Sequence, residues 1–375
     1  MNTIQKAKVL GDSGKYDVCG GEICKPPEFT TGLENLPGII KAKTQNGHFC
    51  SLLKTLQTNK CKHDCRYCVN RAGGTGRGCG QKKIAEFKPP ELASLFNVLV
   101  TRRIVTGLFL SSGVAGDPND MTEKMLRTIR LVRHKYKFRG YIHFKVLPGT
   151  NYELVKQASE LVNRMSINVE APNKSRLSEL TSVKELQSDI IRRQSWIKRL
   201  NPRSGQTTQI IVGASTETDL EVLKMAKWEY SKMNLKRVYY SSFSPVKHTP
   251  LENKEKVPQQ RSNRLYNCDW LLREYHYKLK EIKEVLVDDM LPDKDPKIAI
   301  AEATLTEPVN IEDADYTELI RVPGIGPITA QKIISRRENK KIKASELRKY
   351  GVIMKRAAPF VRVDGEQQKR ISAYS

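Results

Sequence analysis

The stretch Cys61-Lys-His-Asp-Cys65-Arg-Tyr-Cys68 places three cysteines at the spacing CxxxCxxC, directly after a β-rich run, Ser51–Gln57. Three thiolates can bind three irons of a cubane and leave the fourth iron open to a ligand, whereas ordinary electron-transfer clusters use four cysteines. Zinc is the rival, since Cys₃His and Cys₄ sites also use short spacings and His63 lies between two of the cysteines. Zinc fingers, however, usually pair their first knuckle with a second, distant one, and the sequence offers none.

On either side of this cluster, short β-rich runs alternate with amphipathic helical stretches. Candidate strands are Ser51–Gln57, Gly107–Ser111, Tyr141–Val146, Ser166–Glu170, Thr207–Val212 and Arg237–Phe243. Helices are expected over Asn119–Tyr136, Tyr152–Arg164 and Thr216–Met233, with starts at Asp117-Pro118 and Thr216. Six strand–helix units imply an α/β fold with a parallel sheet and right-handed crossovers, a partial (β/α)6 barrel. Ligands in such folds collect at the C-terminal strand ends. Those ends are polar here: Thr58-Asn59, Ser111-Ser112-Gly113, Glu170, Gly213-Ala214-Ser215 and Ser241-Ser242.

The CxxxCxxC spacing with Tyr67 before the third cysteine, at the end of the first strand of such a series, resembles the radical S-adenosylmethionine (SAM) superfamily. The resemblance implies that Cys61, Cys65 and Cys68 hold a 4Fe–4S cluster whose open iron chelates SAM. It further implies an electron donor such as a flavodoxin or ferredoxin, and a 5′-deoxyadenosyl radical that takes hydrogen from a substrate. Carried over by position, the SAM contacts would be Tyr67, the Ser111-Ser112-Gly113 turn, Glu170 for the ribose and Gly213 along the adenine. The family's common turn is Gly-Gly-Glu, so Ser111-Ser112 is a departure. Arg192 or Arg193 would offer a grip on the SAM carboxylate. No catalytic side chain is assigned. A surface ion pair for Glu170, a turn glycine for Gly213 and a solvated helix face for the arginines are the plain alternatives.

Composition points to a polyanionic partner. The 375 residues carry 65 Lys and Arg against 41 Asp and Glu, a net charge of +24, and neutralising phosphates releases counterions. The span 321–375 alone holds 14 Lys and Arg against 4 Asp and Glu. A second basic concentration, Arg192, Arg193, Lys198, Arg199 and Arg203, lies in a stretch without an acid. No apolar run reaches the roughly 18 residues of a membrane span. The N-terminus also lacks a secretory pattern, so a cytoplasmic protein with no membrane role is expected. In a reducing compartment the eight cysteines are not a disulfide framework. Cys19, Cys24, Cys50 and Cys79 are either candidates for a second cluster or small buried residues, and Cys268 reads as core. The Gly73–Gly80 loop lacks the ending of a P-loop.

A second signal lies in Val309–Arg337, where Leu-Ile-Arg-Val-Pro-Gly324-Ile325-Gly326-Pro327 closes one helix and opens the next. Glycines let a backbone approach a ligand, and amides at a helix start can face a phosphate. Lys332, Arg336 and Arg337 add charge along the second helix. This resembles the helix-hairpin-helix DNA-binding motif, with Gly324, Ile325, Gly326, Lys332, Arg336 and Arg337 as the nucleic-acid contacts and a degenerate second hairpin over Leu347–Val361. A helical hairpin serving protein contacts is the alternative. The two motifs together, with Lys15-Tyr16-Asp17 and Tyr239–Pro245, are similar to DNA modification/repair radical SAM proteins associated with uracil-DNA glycosylase-type partners. The expected organisation is a loop-rich segment 1–48, a radical SAM partial barrel 49–290 and a small all-α helix-hairpin-helix domain 305–375. The expected function is modification or repair of a nucleotide in DNA. An RNA-modifying radical SAM enzyme and a non-catalytic iron–sulfur nucleic-acid binder are the alternatives.

Overall fold

A computed structural model of the chain describes residues 1–14, 32–43, 49–72, 83–338, 341–363 and 366–367. It divides into two compact units, Met1–Glu217 with Met225–Val257, and Thr218–Lys224 with Pro258–Ser375. Cys19, Cys24, Cys79, the Gly73–Gly80 loop and Lys15-Tyr16-Asp17 lie outside the described residues.

In the first unit the elements run α1 (Thr3–Ser13), β1 (Ile39–Lys43), β2 (Phe49–Leu56), α2 (Pro89–Thr101), β3 (Gly107–Ser111), α3 (Pro118–Arg130), β4 (Tyr141–Lys145), α4 (Tyr152–Leu161), β5 (Arg164–Ser166), α5 (Lys174–Leu180), α6 (Arg192–Leu200), β6 (Gln206–Val212), α7 (Asp219–Met233) and β7 (Arg237–Ser242). The sheet order is β1-β2-β3-β4-β5-β6-β7. Strands β2 to β7 pair in parallel, each with the next in sequence. This is the six-strand series the alternating pattern predicts. Every residue of β3 and β6 is buried, as expected for strands covered on both faces.

Several boundaries differ from the sequence reading. Residues 1–48 are not only loops: α1 is a capped helix, with Asn2 and Gln5 bonding each other's backbone, and β1 adds an antiparallel edge strand, Ile39 opposite Leu53. Strand β5 stops at Ser166 and meets β6 again only at a Glu170–Ile210 bridge. The cause is local, since Val169 gives its N–H to the Thr208 hydroxyl and Glu170 takes φ +63, outside the strand region. Helix α7 starts at Asp219 rather than Thr216. Thr218 and Glu221 exchange the cap hydrogen bonds, while Thr216 is held by Glu179.

The second unit holds α8 (Gln259–Glu274), α9 (Leu279–Lys283), α10 (Pro296–Thr304), β8 (Val309–Asn310), α11 (Tyr316–Arg321), α12 (Pro327–Arg337), α13 (Met354–Ala357), β9 (Val361–Val363) and β10 (Glu366–Gln367). It departs from the expected all-α domain, because β8, β9 and β10 form a small sheet. It also begins earlier than residue 305. The first residues of α7, up to Lys224, belong to this second unit: the buried carboxylate of Asp219 takes hydrogen bonds from Arg261 at 2.8 Å and from the Leu291 N–H at 2.9 Å. Helices α8 and α10 pack together, and Ala301 of α10 shares the core of Ile311, Leu319, Ile333 and Val361. Polar residues at 288–308 therefore mark a turn within this unit and not its edge. Among the described residues no helix is long and apolar enough to cross a membrane.

Candidate functional site

Past the C-terminal ends of the parallel strands lies a cavity whose wall includes Cys61, Cys65, Cys68, Tyr67, Ser111, Ser112, Gly113 and Glu170. Residues from the ends of all six parallel strands and from the cysteine loop thus meet in one place. The loop is fastened at several points. Asp64 accepts hydrogen bonds from the Thr181 hydroxyl and from the Ser182 N–H and hydroxyl. Although burial opposes it, these bonds bring its carboxyl down to about 2. Arg66 donates its N–H to the Leu180 carbonyl at 2.8 Å, and Lys62 donates to Val114 at 2.6 Å.

Gly113 explains the turn after β3. A Cβ there would sit 2.3 Å from the Lys60 carbonyl oxygen and 3.2 Å from Cys61 Cβ, so only glycine lets the turn lie against the cysteine loop. The neighbouring Val114 N–H then reaches Cys61 Sγ at 3.4 Å, and the Asn70 N–H reaches Cys68 Sγ at 3.3 Å. Amides aimed at cysteine sulfurs are the usual means by which a protein stabilises cluster thiolates.

Glu170 is the polar centre of the wall. It is buried, and its left-handed backbone is held on both sides by β6, Glu170 N–H to Gln209 and Ile211 N–H to Glu170. Its carboxylate faces Lys184 at 3.4 Å and Asn168 at 3.4 Å, and it accepts a hydrogen bond from Tyr67. Burial and this carboxylate push the Tyr67 phenol well above its usual value. Burial works against a charge on Lys184, but the adjacent Cys65 and Glu170 outweigh it and hold the ammonium above the ordinary lysine value. Burial pushes the Cys68 thiol up to about 12, so its thiolate form depends on a bound cation. His63 also lines the cavity. Burial, then Lys184, lowers it to about 4, which leaves the ring neutral.

The donor set fits a 4Fe–4S cluster. Three cysteines share one cavity, amides point at two of their sulfurs and one lysine lies beside the third. Among the described residues no three His, Cys, Asp or Glu side chains gather tightly enough for a single metal ion. Thiolates that each take a different iron have no need to.

Not every expected residue reaches the cavity. Gly213 does not line it. Its N–H, at φ +84, is taken by the Glu217 carboxylate, and Gln209 and Ile211 of β6 form that part of the wall instead. Arg193 is spent on structure, with Nε donating to the Thr150 carbonyl at 2.7 Å, NH1 to Ser188, and the guanidinium over the Trp196 ring. Cys50 sits at the start of β2, six residues from the strand's C-terminal end and so about 20 Å from the cavity rim, which excludes it from a second cluster there. Cys268 is buried in α8. Lys184, Asn168, Lys145 and Gln209 were not singled out from the sequence. The fold brings them in from separate loops and strands, and no local spacing announces them.

In the second unit, α11, the Gly324–Gly326 turn and α12 form the expected hairpin, and residues 344–350, Gly351 and α13 form the second. Gly324 has φ +87, and a Cβ there would lie 2.6 Å from the Ile353 carbonyl. Ile353 in turn donates its N–H to Gly324 at 3.0 Å, so the two hairpin turns brace each other. The expected contacts divide. Ile325 is core, and Arg337 donates to the Ile311 and Ala314 carbonyls, so both side chains serve the fold. Lys332 and Arg336 border a shallow hollow with Ile328, Gln331, Ser335 and Tyr350, and Arg336 donates to the Tyr350 hydroxyl at 3.1 Å.

A parallel half-barrel with three cysteines at its rim is the arrangement that the radical SAM resemblance implies. Residues 56–228 match, and are thus similar to, the radical SAM superfamily, whose members use a 4Fe–4S cluster and SAM. Residues 306–350 match the helix-hairpin-helix motif. No curated protein matches the sequence. Similar solved structures include the FeFe-hydrogenase maturase HydG from Carboxydothermus hydrogenoformans, 13% identical over 58% of this chain and 50% of that one, with a TM-score of 0.45. Methylornithine synthase (PylB) is 13% identical over 58% of this chain and 60% of that one, with a TM-score of 0.47. The chain thus matches only about half to three fifths of the length of these structures.

Proposed function

We propose that this chain modifies or repairs a nucleotide within DNA by radical SAM chemistry. The observation that carries the chemistry is the convergence of Cys61, Cys65 and Cys68 on one cavity with Tyr67, Ser112 and Glu170. DNA as substrate is supported by the hairpin motif in the same chain and by the net charge of +24.

In this reading Cys61, Cys65 and Cys68 hold the cluster, and Ser112, Glu170 and Gln209 orient SAM. When bound, the cluster and SAM together supply a carbon radical able to take one hydrogen atom. The remaining work is done by this chain's own residues. Cys65 and the Glu170 carboxylate, 3.4 Å away, hold the Lys184 ammonium charged against burial, which preserves a polar anchor where water is scarce. Val146, Leu147 and Phe243 give the same cavity an apolar wall that limits competing solvent. A base can reach such a rim only outside the duplex stack, so mismatched, damaged or single-stranded targets are favoured by their lower unpairing cost. The resemblance adds two proposals, a uracil-DNA glycosylase-type partner and a flavodoxin or ferredoxin as electron donor, and the sequence pattern adds a cytoplasmic setting.

The test is anaerobic reconstitution, counting of iron and sulfide, and mass spectrometry of nucleosides from DNA and from RNA incubated with protein, SAM and reductant. A new nucleoside in DNA that requires SAM supports the reading. Product confined to RNA transfers the activity to RNA, and stoichiometric zinc without sulfide overturns the enzyme.

A further inference from the structure

Near the hairpin turn stands an aromatic side chain that the motif itself does not use. Trp270, close to the end of α8, is 47% exposed, and the guanidinium of Arg273 lies 5.6 Å from its ring centroid. The Tyr275 hydroxyl takes a hydrogen bond from Trp270. That hydroxyl also lies 3.2 Å from where a Cβ on Gly326 would be. The indole is thus one hydrogen bond and one van der Waals contact away from the turn.

The turn and the aromatic pair are braced by one lysine. Lys297 Nζ lies 4.4 Å from the Tyr275 ring centroid and donates to the Ile325 carbonyl at 2.6 Å. A trans peptide points its C=O and N–H in opposite directions. Holding the Ile325 carbonyl on Lys297 therefore turns the Gly326 N–H the other way, at the start of α12. The same lysine steadies the phenol that carries Trp270.

We propose that Trp270 and the Gly324–Gly326 turn form one surface that takes a backbone phosphate together with an unpaired nucleobase, the base stacking on the indole. This rests on the nucleic-acid reading of the hairpin and specifies its ligand. Stacking beside a phosphate grip is how proteins hold single strands, and it tolerates any sequence because every base has a π-face. In an intact duplex the base faces are covered by their neighbours, so the indole has nothing to stack on. The surface therefore selects unpaired over paired nucleic acid, in keeping with chemistry that needs a base out of its stack.

The experiment measures anaerobic binding of the full-length holoenzyme to a labelled single strand, a matched duplex and a duplex with one unpaired base. Trp270→Ala should weaken the single strand and the unpaired-base duplex by about 5-fold to 150-fold. It should leave matched-duplex affinity and the salt dependence as in wild type, since no charge is removed. Trp270→Phe should keep the affinities within a few-fold, but lose the quenching of tryptophan emission that the single strand causes in wild type. This second variant serves even if Trp270→Ala is unstable. Equal losses on all three ligands, or none on any, overturn the stacking role and leave Trp270 as a fold or protein-contact residue. Gly324→Val separates the two levels. If it abolishes binding while Trp270→Ala does not, only the stacking role fails. If wild type binds none of the three ligands, the nucleic-acid reading fails with it.

Discussion

Cys65 is buried while Cys61 and Cys68 are half-buried, and in the proposed reading one cluster is held by all three. Replacing all three with Ala should remove the roughly four irons expected per chain and all SAM cleavage, as read by iron counting and chromatography. Glu170→Gln, which keeps shape but not charge, should weaken SAM binding by about 10-fold, or roughly 1.4 kcal/mol, with iron content unchanged; calorimetry with SAM checks it. A third prediction concerns Glu229 of α7, far in sequence from the cysteines. It is buried, accepts a hydrogen bond from Gln194 Nε2 at 2.9 Å, and leaves its other oxygen without a partner. Burial raises its carboxyl from 4.5 to about 8, so the folded protein keeps a proton that the unfolded chain releases. Between about pH 4.5 and 8 the unfolded state binds fewer protons, and stability falls as pH rises. Glu229→Gln should flatten that fall and raise the melting temperature at pH 8, with little effect at pH 5.

At the level of elements, the turns matter more than the strands. The turn after β3 was legible as a polar rim, but its reason was not. Gly113 is there because the Lys60 carbonyl and Cys61 occupy the space of a side chain, a contact made across some fifty residues. Gly113→Ala should displace the cysteine loop, destabilise the protein by about 1–3 kcal/mol and lower iron incorporation, while the circular dichroism of the helices stays unchanged. The sequence pattern places a strand at Ser166–Glu170, but β5 runs Arg164–Ser166, for a related reason. Ile167, Val169 and Ala171 are apolar enough to continue it, but the positive φ of Glu170 ends regular pairing so that its carboxylate enters the cavity. Gly324 was read as a phosphate approach, and the structure adds that the Ile353 carbonyl excludes a side chain there.

For the whole molecule, the charge total predicts binding that is strong at low salt and weak at high salt. Each phosphate neutralised on duplex DNA should contribute about −0.9 to the slope of log affinity against log salt. Exposed Lys332 should account for about one such contact, so Lys332→Ala should flatten the slope by about 0.9 in a salt titration. Arg337→Ala should instead lower the melting temperature, because its partners are the Ile311 and Ala314 carbonyls.

The sequence by itself determined the six parallel strands, the three cysteines and the hairpin turn. Each is written in local spacing: period-two runs, CxxxCxxC, and glycines where a helix stops. Side-chain type and distance along the chain suffice for these. Only the tertiary structure decided that Lys184 sits beside Cys65, that Gln209 and not Gly213 lines the wall, that Arg193 and Arg337 serve the fold, and that α8 and α10 belong to the second unit. Those facts depend on which buried surfaces and carbonyls remain to be satisfied once distant segments pack, and a residue's partner in that packing has no signature in its own neighbourhood.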